Sequence, residues 1–430
     1  MTKTTVNVEH IARVEGHGNV HLVVKDGRVE TCEMSVVEPA RLFESMVKGR
    51  RIEESAYISS RVCGICSASH VITDLLCAER IFDIEVSPRT HALRELLVYG
   101  SYLQNHASHL FVFAAPDFLN MKSVFPLADA DPALFDAALG IKALGNELCS
   151  AVGGRSIHPI TAVIGGFTHE PTRDEYLAFA ERMDGMRDFA KQTVDLFSSF
   201  SVPAVESAGD MFAMVEEGTY PVCTSRNARF LDANVTFDAD DVFDELEEYC
   251  VGHSAALFSR VRKTGSPFFT GALARINASW TNLCQDAKIA AAKVGLRPPK
   301  RNPYLNNVAQ AVELLDALER CAELCRQLAE ADGIEGSSAP VPYKVCAGRA
   351  VGFTEAPRGT LFHELTVDED GRVVQASIVT PTAQNMANLE ADMRLLAEKL
   401  IADGAEEADL RLEAEKLVRA YDPCFSCSVH

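Results

Sequence analysis

Arg61-Val-Cys63-Gly-Ile-Cys66-Ser-Ala-Ser-His70, early in the chain, and Asp422-Pro-Cys424-Phe-Ser-Cys427-Ser-Val-His430, at its far end, decide how this sequence is read. Each holds a C-x-x-C unit, which sets two sulfurs on one turn of backbone. Four such thiolates can enclose a soft transition metal. The two pairs are separated by most of the chain, so a shared metal requires that the ends of the fold meet. A zinc ribbon is different: its pairs lie about 15–20 residues apart. Taken alone, two C-x-x-C units also fit a structural zinc or an iron–sulfur site.

The composition frames the rest. With 430 residues, 47% of them hydrophobic, the chain can bury a large core, and length alone allows two or three domains. No Pro/Gly/Ser-rich linker, low-complexity tract or internal repeat divides it, so the reading is one domain over residues 1–430. A formal charge of −20 argues against nucleic acid and against a polybasic membrane anchor. The N-terminal Met1-Thr-Lys-Thr-Thr-Val lacks the apolar core of a signal peptide, and no apolar run is long enough to cross a bilayer, so direct membrane insertion is not expected. Thirteen cysteines, an odd number in a large chain, disfavour a disulfide framework and favour a reducing compartment. A chain exported with a signal-bearing partner would show the same features.

Hydrophobic periodicity places the motifs. Strand-like alternation runs over 6–11, 19–24 and 29–36, with Asp26-Gly27 as a hairpin turn. Helical spacing follows over 71–82, 90–107, 133–150, 173–200, 242–259, 274–294 and 309–331. A late ribbon, 360–367 with 373–379, turns at Asp368-Glu-Asp-Gly371, and helices over 386–402 and 407–420 lead into the second cysteine pair. The expected fold class is mainly α, with small β-sheets near both ends.

These residues resemble the two signatures of the nickel–iron hydrogenase large subunit. The resemblance continues along the chain in Ala12-Arg-Val-Glu-Gly-His17, Gly154-Arg-Ser-Ile-His-Pro159, Glu355-Ala-Pro-Arg-Gly359 and Thr380-Pro-Thr-Ala-Gln-Asn385. Six motifs in the family's order make chance convergence a poor explanation. The chemistry agrees: heterolytic cleavage of H2 needs a metal and a base to take the proton, and a terminal thiolate can be the first such base.

By this resemblance Cys63 and Cys424 are terminal nickel ligands, while Cys66 and Cys427 bridge nickel to an iron carrying carbon monoxide and cyanide. His70 would donate a hydrogen bond to a cysteine sulfur, although a buried core histidine is an equal reading. Arg358, after Pro357, would lie over the metals with its guanidinium toward the cyanides. Thr382 would hydrogen-bond a cyanide, and Asp422 would hold Arg358, although Asp before Pro is also an ordinary turn former. Glu15 would approach a cysteine sulfur and lead the proton outward, whereas an edge-strand glutamate without the motif is simply solvated. Glu44 and His430 match a magnesium site that in some members holds iron or another ion, with the backbone carbonyl near Met386 as a further ligand. Ending at His430 also resembles the mature subunit, from which a C-terminal extension has been removed.

One departure stands out. Asn105, in Gln104-Asn105-His106, takes the place of an aspartate in respiratory members, which removes a charge near Arg358. The remaining cysteines are scattered, so no iron–sulfur cluster is expected in this chain, and no G-x-G-x-x-G nucleotide fingerprint is present. The resemblance therefore implies an iron–sulfur small subunit and further electron-transfer subunits with flavin and iron–sulfur groups. The C-terminal motif and the stretch Asn302-Pro-Tyr-Leu-Asn-Asn-Val-Ala-Gln-Ala311 look most like soluble, bidirectional cytoplasmic members that serve NAD(P), sulfur compounds or heterodisulfide-type partners. A regulatory H2 sensor with the same centre is the alternative. The quinone-site subunit of respiratory complex I, a relative in fold, lacks the four cysteines.

Overall fold

The N-terminal alternation forms an antiparallel sheet of Lys3–Val8, Gly18–Lys25 and Arg28–Val36, in sequence order. Asp26 and Gly27 both take positive φ, 50° and 75°, the backbone that a two-residue hairpin needs. The computed structural model describes residues 3–430. Met1 and Thr2, part of the stretch read for a targeting signal, lie outside the described residues. No helix among the described residues is long and apolar enough to cross a membrane.

The body of the molecule is a set of long helices: Pro88–Ala107, Pro132–Gly153, Arg173–Ser199 and Leu305–Ala329 pack on one another. Their starts carry the expected signals. Ser87 caps the first, with Pro88 at the first position, and Thr172 with Glu175 forms a capping box on the third. The first two helices touch backbone to backbone. A Cβ on Gly145 would lie 2.7 Å from Gln104 N and 2.8 Å from the Gly100 carbonyl. That approach fixes the depth of the turn carrying Gln104, Asn105 and His106. The helix then widens into a π-helix over Ser108–Ala114, a form that recurs at functional sites.

Two helix expectations fail. Residues 242–259 keep only a short helical turn, Val242–Glu245, before the strands Leu246–Cys250 and Leu257–Val261 pair antiparallel. Partners across the strands override the helical spacing: Tyr249 faces Phe258, and Arg260 Nε donates to Glu247 at 2.8 Å. The 274–294 helix is two, Ala272–Ser279 and Gln285–Lys293, broken by a turn where Cys284 N–H donates to Asp316. A central sheet of Phe268–Phe269, Asp210–Val215, Asn227–Phe230 and Val235–Asp238, in that spatial order, also adds to the small sheets expected near the ends.

The late ribbon forms as expected and gains a strand. Gly348–Ala356 pairs with Gly359–Val367, which pairs with Val373–Val379. Ala356 lies opposite Gly359, so Pro357 and Arg358 form the two-residue tip of a long hairpin. Gly359 has φ 139°, and a Cβ there would meet the Thr270 side chain at 2.7 Å. Only glycine brings the tip this close.

Behind the tip lies a buried ionic group. Arg275 donates to Glu313 through Nε and Nη2, at 2.7 and 2.8 Å, and to Glu355 through Nη1 at 3.0 Å. His106 and Tyr220 complete the Glu313 carboxylate. Burial alone would raise the Glu313 pKa, but Arg275 and His106 outweigh it and hold it down to about 2. A carboxylate depressed in the fold contributes stability that is complete above its ordinary 4.5 and is lost as pH falls toward 2. Glu313→Gln should therefore destabilise the fold by about 3–5 kcal/mol near neutral pH. In urea unfolding followed against pH, the gap to the wild type should close as the solution is acidified through that window.

Candidate metal centre

Each cysteine pair sits where a turn meets regular structure. Cys63 follows the single 3-10 turn Ser60–Val62, and the amides of Ile65 and Cys66 both donate to its sulfur at 3.3 Å before the helix Ser67–Ile81 begins. At the other end, Asp422 takes φ 48°, a left-handed turn that carries the chain out of the helix Glu407–Ala420 into the short turn Phe425–Val429. The two ends meet as the spacing requires: Cys63 Sγ and Cys424 Sγ are 3.6 Å apart. One sulfur each from Cys63, Cys424 and Cys427 lie within 4.8 Å of one another, all buried. Cys66 stands beside Cys63, outside that mutual distance, and the pairing of the two thiols lowers the Cys63 pKa, with help from Arg358, and raises that of Cys66. Cys424 and Cys427 are joined as a disulfide, so ligation by this pair needs it reduced.

Glu15 meets the cluster through the backbone. Glu15 and Cys424 form a parallel bridge, Phe425 N–H donates to the Glu15 carbonyl at 3.0 Å, and Glu15 Oε2 lies 3.0 Å from Cys424 Sγ. Ser426 also binds this carboxylate, its amide at 3.2 Å from Oε2 and its hydroxyl on Oε1.

Arg358 faces the cysteines from the hairpin tip. Its Nε donates to Asp422 Oδ1 at 3.1 Å, and Asp422 Oδ2 accepts from Asn105 Nδ2 and Gln310 Nε2, each at 2.9 Å. Burial works against ionising Asp422, but Arg358 and these donors outweigh it and hold its pKa below the usual carboxylate range. Both terminal nitrogens of Arg358 and the Asn105 carbonyl oxygen are buried without a partner among the described residues. Unpartnered guanidinium donors beside a thiol cluster fit anionic ligands bound there. Asn105 thus holds Asp422, the counter-ion of Arg358. Thr382 Oγ1 accepts from Cys424 N–H at 2.9 Å, which leaves its own O–H to donate.

His70 has a different partner from the expected sulfur. Its Nδ1 lies 2.9 Å from His363 Nε2, and His363 Nδ1 lies 2.6 Å from Asp74 Oδ1. Asp74 also accepts from Ser59. His70 and Asp74 are one helical turn apart, and His363 enters between them from the hairpin. Burial pushes the His70 pKa well down, and its Nε2 has no partner among the described residues.

Glu44 and His430 come together, but Met386 does not join them. Met386 lies inside the helix Pro381–Ala402, where a carbonyl is turned along the axis to its own helix, and its side chain belongs to the main core. The backbone at the site is that of Ile378. Its N–H donates to Glu44 Oε1 at 2.8 Å, and its carbonyl faces the His430 ring. His430 Nδ1 bonds the Cys427 carbonyl at 2.8 Å, while Nε2 is buried and unpartnered. Glu248, whose Oε1 is also buried without a partner, faces Glu44, and burial with that neighbouring charge raises its pKa to about 8. Imidazole and carboxylate donors of this kind suit a divalent cation, but the three side chains do not converge within 4.8 Å of one another as the cysteines do.

Residues 41–138 and 306–430, which include both cysteine pairs, match the family model of the nickel-dependent hydrogenases. The chain belongs to this family. Sulfhydrogenase 1 subunit alpha of Pyrococcus furiosus is 33% identical over 99% of this chain and 97% of its own length. The NAD-reducing hydrogenase HoxS subunit beta of Cupriavidus necator is 28% identical over 98% and 94%. Among solved structures, an NAD+-reducing [NiFe]-hydrogenase in its H2-reduced state covers 100% of both chains with a TM-score of 0.86 at 26% identity.

In this hydrogenase, sequence reasoning missed Ile378, Glu248, His363, Asp74 and Arg275. The only advance signal was charge in apolar surroundings, as for His363 in Leu361-Phe-His-Glu-Leu365. The glycines of the Glu15 motif have a plain cause. Gly16 has φ 82°, and a Cβ there would lie 2.9 Å from Phe425 Cβ, while one on Gly18 would meet the Phe425 ring at 2.8 Å. Gly16→Ala should cost about 1–3 kcal/mol in urea unfolding, because Phe425 and the bridge to Cys424 must both shift.

Proposed function

We propose that the chain is the catalytic subunit of a nickel–iron hydrogenase, with Glu15 as the first carrier of the proton leaving Cys424. The observation that carries this reading is the Glu15 carboxylate at 3.0 Å from the Cys424 sulfur within the four-cysteine site. Cys63, Cys66, Cys424 and Cys427 would hold the nickel–iron centre, whose iron would carry carbon monoxide and cyanide. When bound, that centre supplies the heterolytic splitting and re-formation of H2. The protein's own part is to hold, orient and conduct. Arg358 offers Nη1 and Nη2 to the anionic ligands, and the Thr382 hydroxyl offers one donor more. Glu15 takes a proton from the Cys424 sulfur, and Ser426 fixes the carboxylate that receives it. Glu44, His430 and the Ile378 carbonyl would hold magnesium or a similar ion beside the last turn.

Electrons leave through other chains. An iron–sulfur small subunit covers the cysteine face, with flavin and iron–sulfur subunits beyond it. The relatives' names, one a sulfhydrogenase and one an NAD-reducing hydrogenase, support a soluble acceptor such as NAD(P) or a sulfur compound and a cytoplasmic location. The same names, all of hydrogenases, give the sensor alternative no support. The ends of the chain build one site together, which supports reading residues 1–430 as one domain.

The infrared spectrum of the natively purified complex tests the site, and bound carbon monoxide and cyanide stretches are the expected result. Their absence from a sample with full nickel and iron would overturn the assignment. Glu15→Gln should keep those bands and the metal content while losing at least about tenfold in H2 turnover and H/D exchange, the low end for removing a positioned acid–base group being nearer 100. Wild-type exchange in that variant would remove Glu15 from the route.

A further inference from the structure

We propose that Arg275 is the residue that positions Arg358, by gripping the backbone of the hairpin tip from behind. This rests on the reading of Arg358 as a residue of the nickel–iron site. Beyond its two glutamates, Arg275 Nη1 donates to the Ala356 carbonyl at 3.0 Å and Nη2 to the Pro357 carbonyl at 2.8 Å. These are the two peptide units just before Arg358. The guanidinium thus spends every donor: three bonds on Glu313 and Glu355, two on the turn. It is 2% exposed and lies over the Tyr102 ring at 5.0 Å. The Tyr102 hydroxyl reaches the carbonyls of Glu355 and Ala356, at 3.1 and 3.4 Å.

Two helices therefore hold Arg358 at two points. From Pro88–Ala107, Asn105 holds its counter-ion Asp422, while Tyr102 and His106 serve the tip and Glu313. From Leu305–Ala329, Gln310 binds Asp422, and Glu313, one turn on, orients Arg275. One attachment is at the guanidinium, through Asp422; the other is at the backbone, through Arg275. A two-residue loop has little freedom once both are made. Lysine at 275 keeps a positive charge for the glutamates, but it has three donors where arginine has five and lacks the planar fork.

The test is Arg275→Lys in the metal-loaded complex, beside Arg358→Lys. Turnover is normalised to nickel, and amide hydrogen exchange is read over 353–362. Arg275→Lys should lower kcat about 10- to 100-fold, the scale of a misplacement near 1 Å, with KM for H2 unchanged. It should also shift the cyanide stretches and speed exchange at the tip. Normal kcat per nickel, unshifted bands and wild-type exchange would overturn the positioning role. Tyr102→Phe, which keeps the ring and removes only the hydroxyl, decides the matter if Arg275→Lys does not accumulate. It should raise tip exchange and lower kcat in the same direction by less, and no change in either would sink the proposal. If Arg358→Lys itself turns over normally, the reading of Arg358 fails instead.

Discussion

Between Glu15 and Cys424 the backbone makes a lone parallel bridge, outside any sheet, and much of the site follows from it. It joins a loop of the N-terminal sheet to the turn after the last helix, the turn whose Cys424 sulfur meets that of Cys63 at 3.6 Å. Phe425 seals it, filling the space that Gly16 and Gly18 leave by having no side chain. The same bridge sets the Glu15 carboxylate over the Cys424 sulfur. A carboxylate carried on a free loop would lose orientation and solvent exclusion together, and a proton relay depends on both.

Around this contact the protein buries an unusual density of charge. Arg275, Arg358, Glu313, Glu355, Asp422 and Asp74 are all at or below 4% exposed. Most of their polar atoms are bonded, which is what allows ions to be held away from water. Among the buried atoms without a partner are the terminal nitrogens of Arg358, the Asn105 oxygen, His70 Nε2 and His430 Nε2, while others, such as Arg94 Nε and Asn388 Oδ1, lie elsewhere. A guanidinium that spends its Nε on Asp422 and leaves both terminal nitrogens open beside the cysteines is shaped for anionic ligands. The bonded part is a rigid frame, and the open part is its working edge.

What could be read in the sequence was what local chemistry writes down. Both C-x-x-C units, the Glu15 motif and the Pro357-Arg358 tip are short runs whose residue types already state a job. The long helices were legible because their apolar spacing persists for several turns and capping residues such as Thr172 mark their starts. Residues 246–261 misled because the groups that make them a hairpin, Tyr249 with Phe258 and Glu247 with Arg260, meet only across strands. The backbone carbonyl expected near Met386 is a case of another kind. Every residue has a carbonyl, so a backbone ligand has no letter in the sequence, and only the fold shows which one is turned toward Glu44 and His430. Arg275 and His363 were invisible for a related reason, since their partners come from distant segments.

The turn that supplies Cys424 and Cys427, two of the four cysteines at the site, comes late in the order of synthesis. Everything that encloses it, from the N-terminal loop to the paired long helices, has left the ribosome first. Up to that moment the chain can acquire its core and its helical frame, but the thiol cluster has only one of its two halves. The enclosing frame must therefore stay open enough to admit a buried segment, or reopen to do so. Nine of residues 421–430 are buried, so the thiol cluster is complete only once this segment is seated against Cys63.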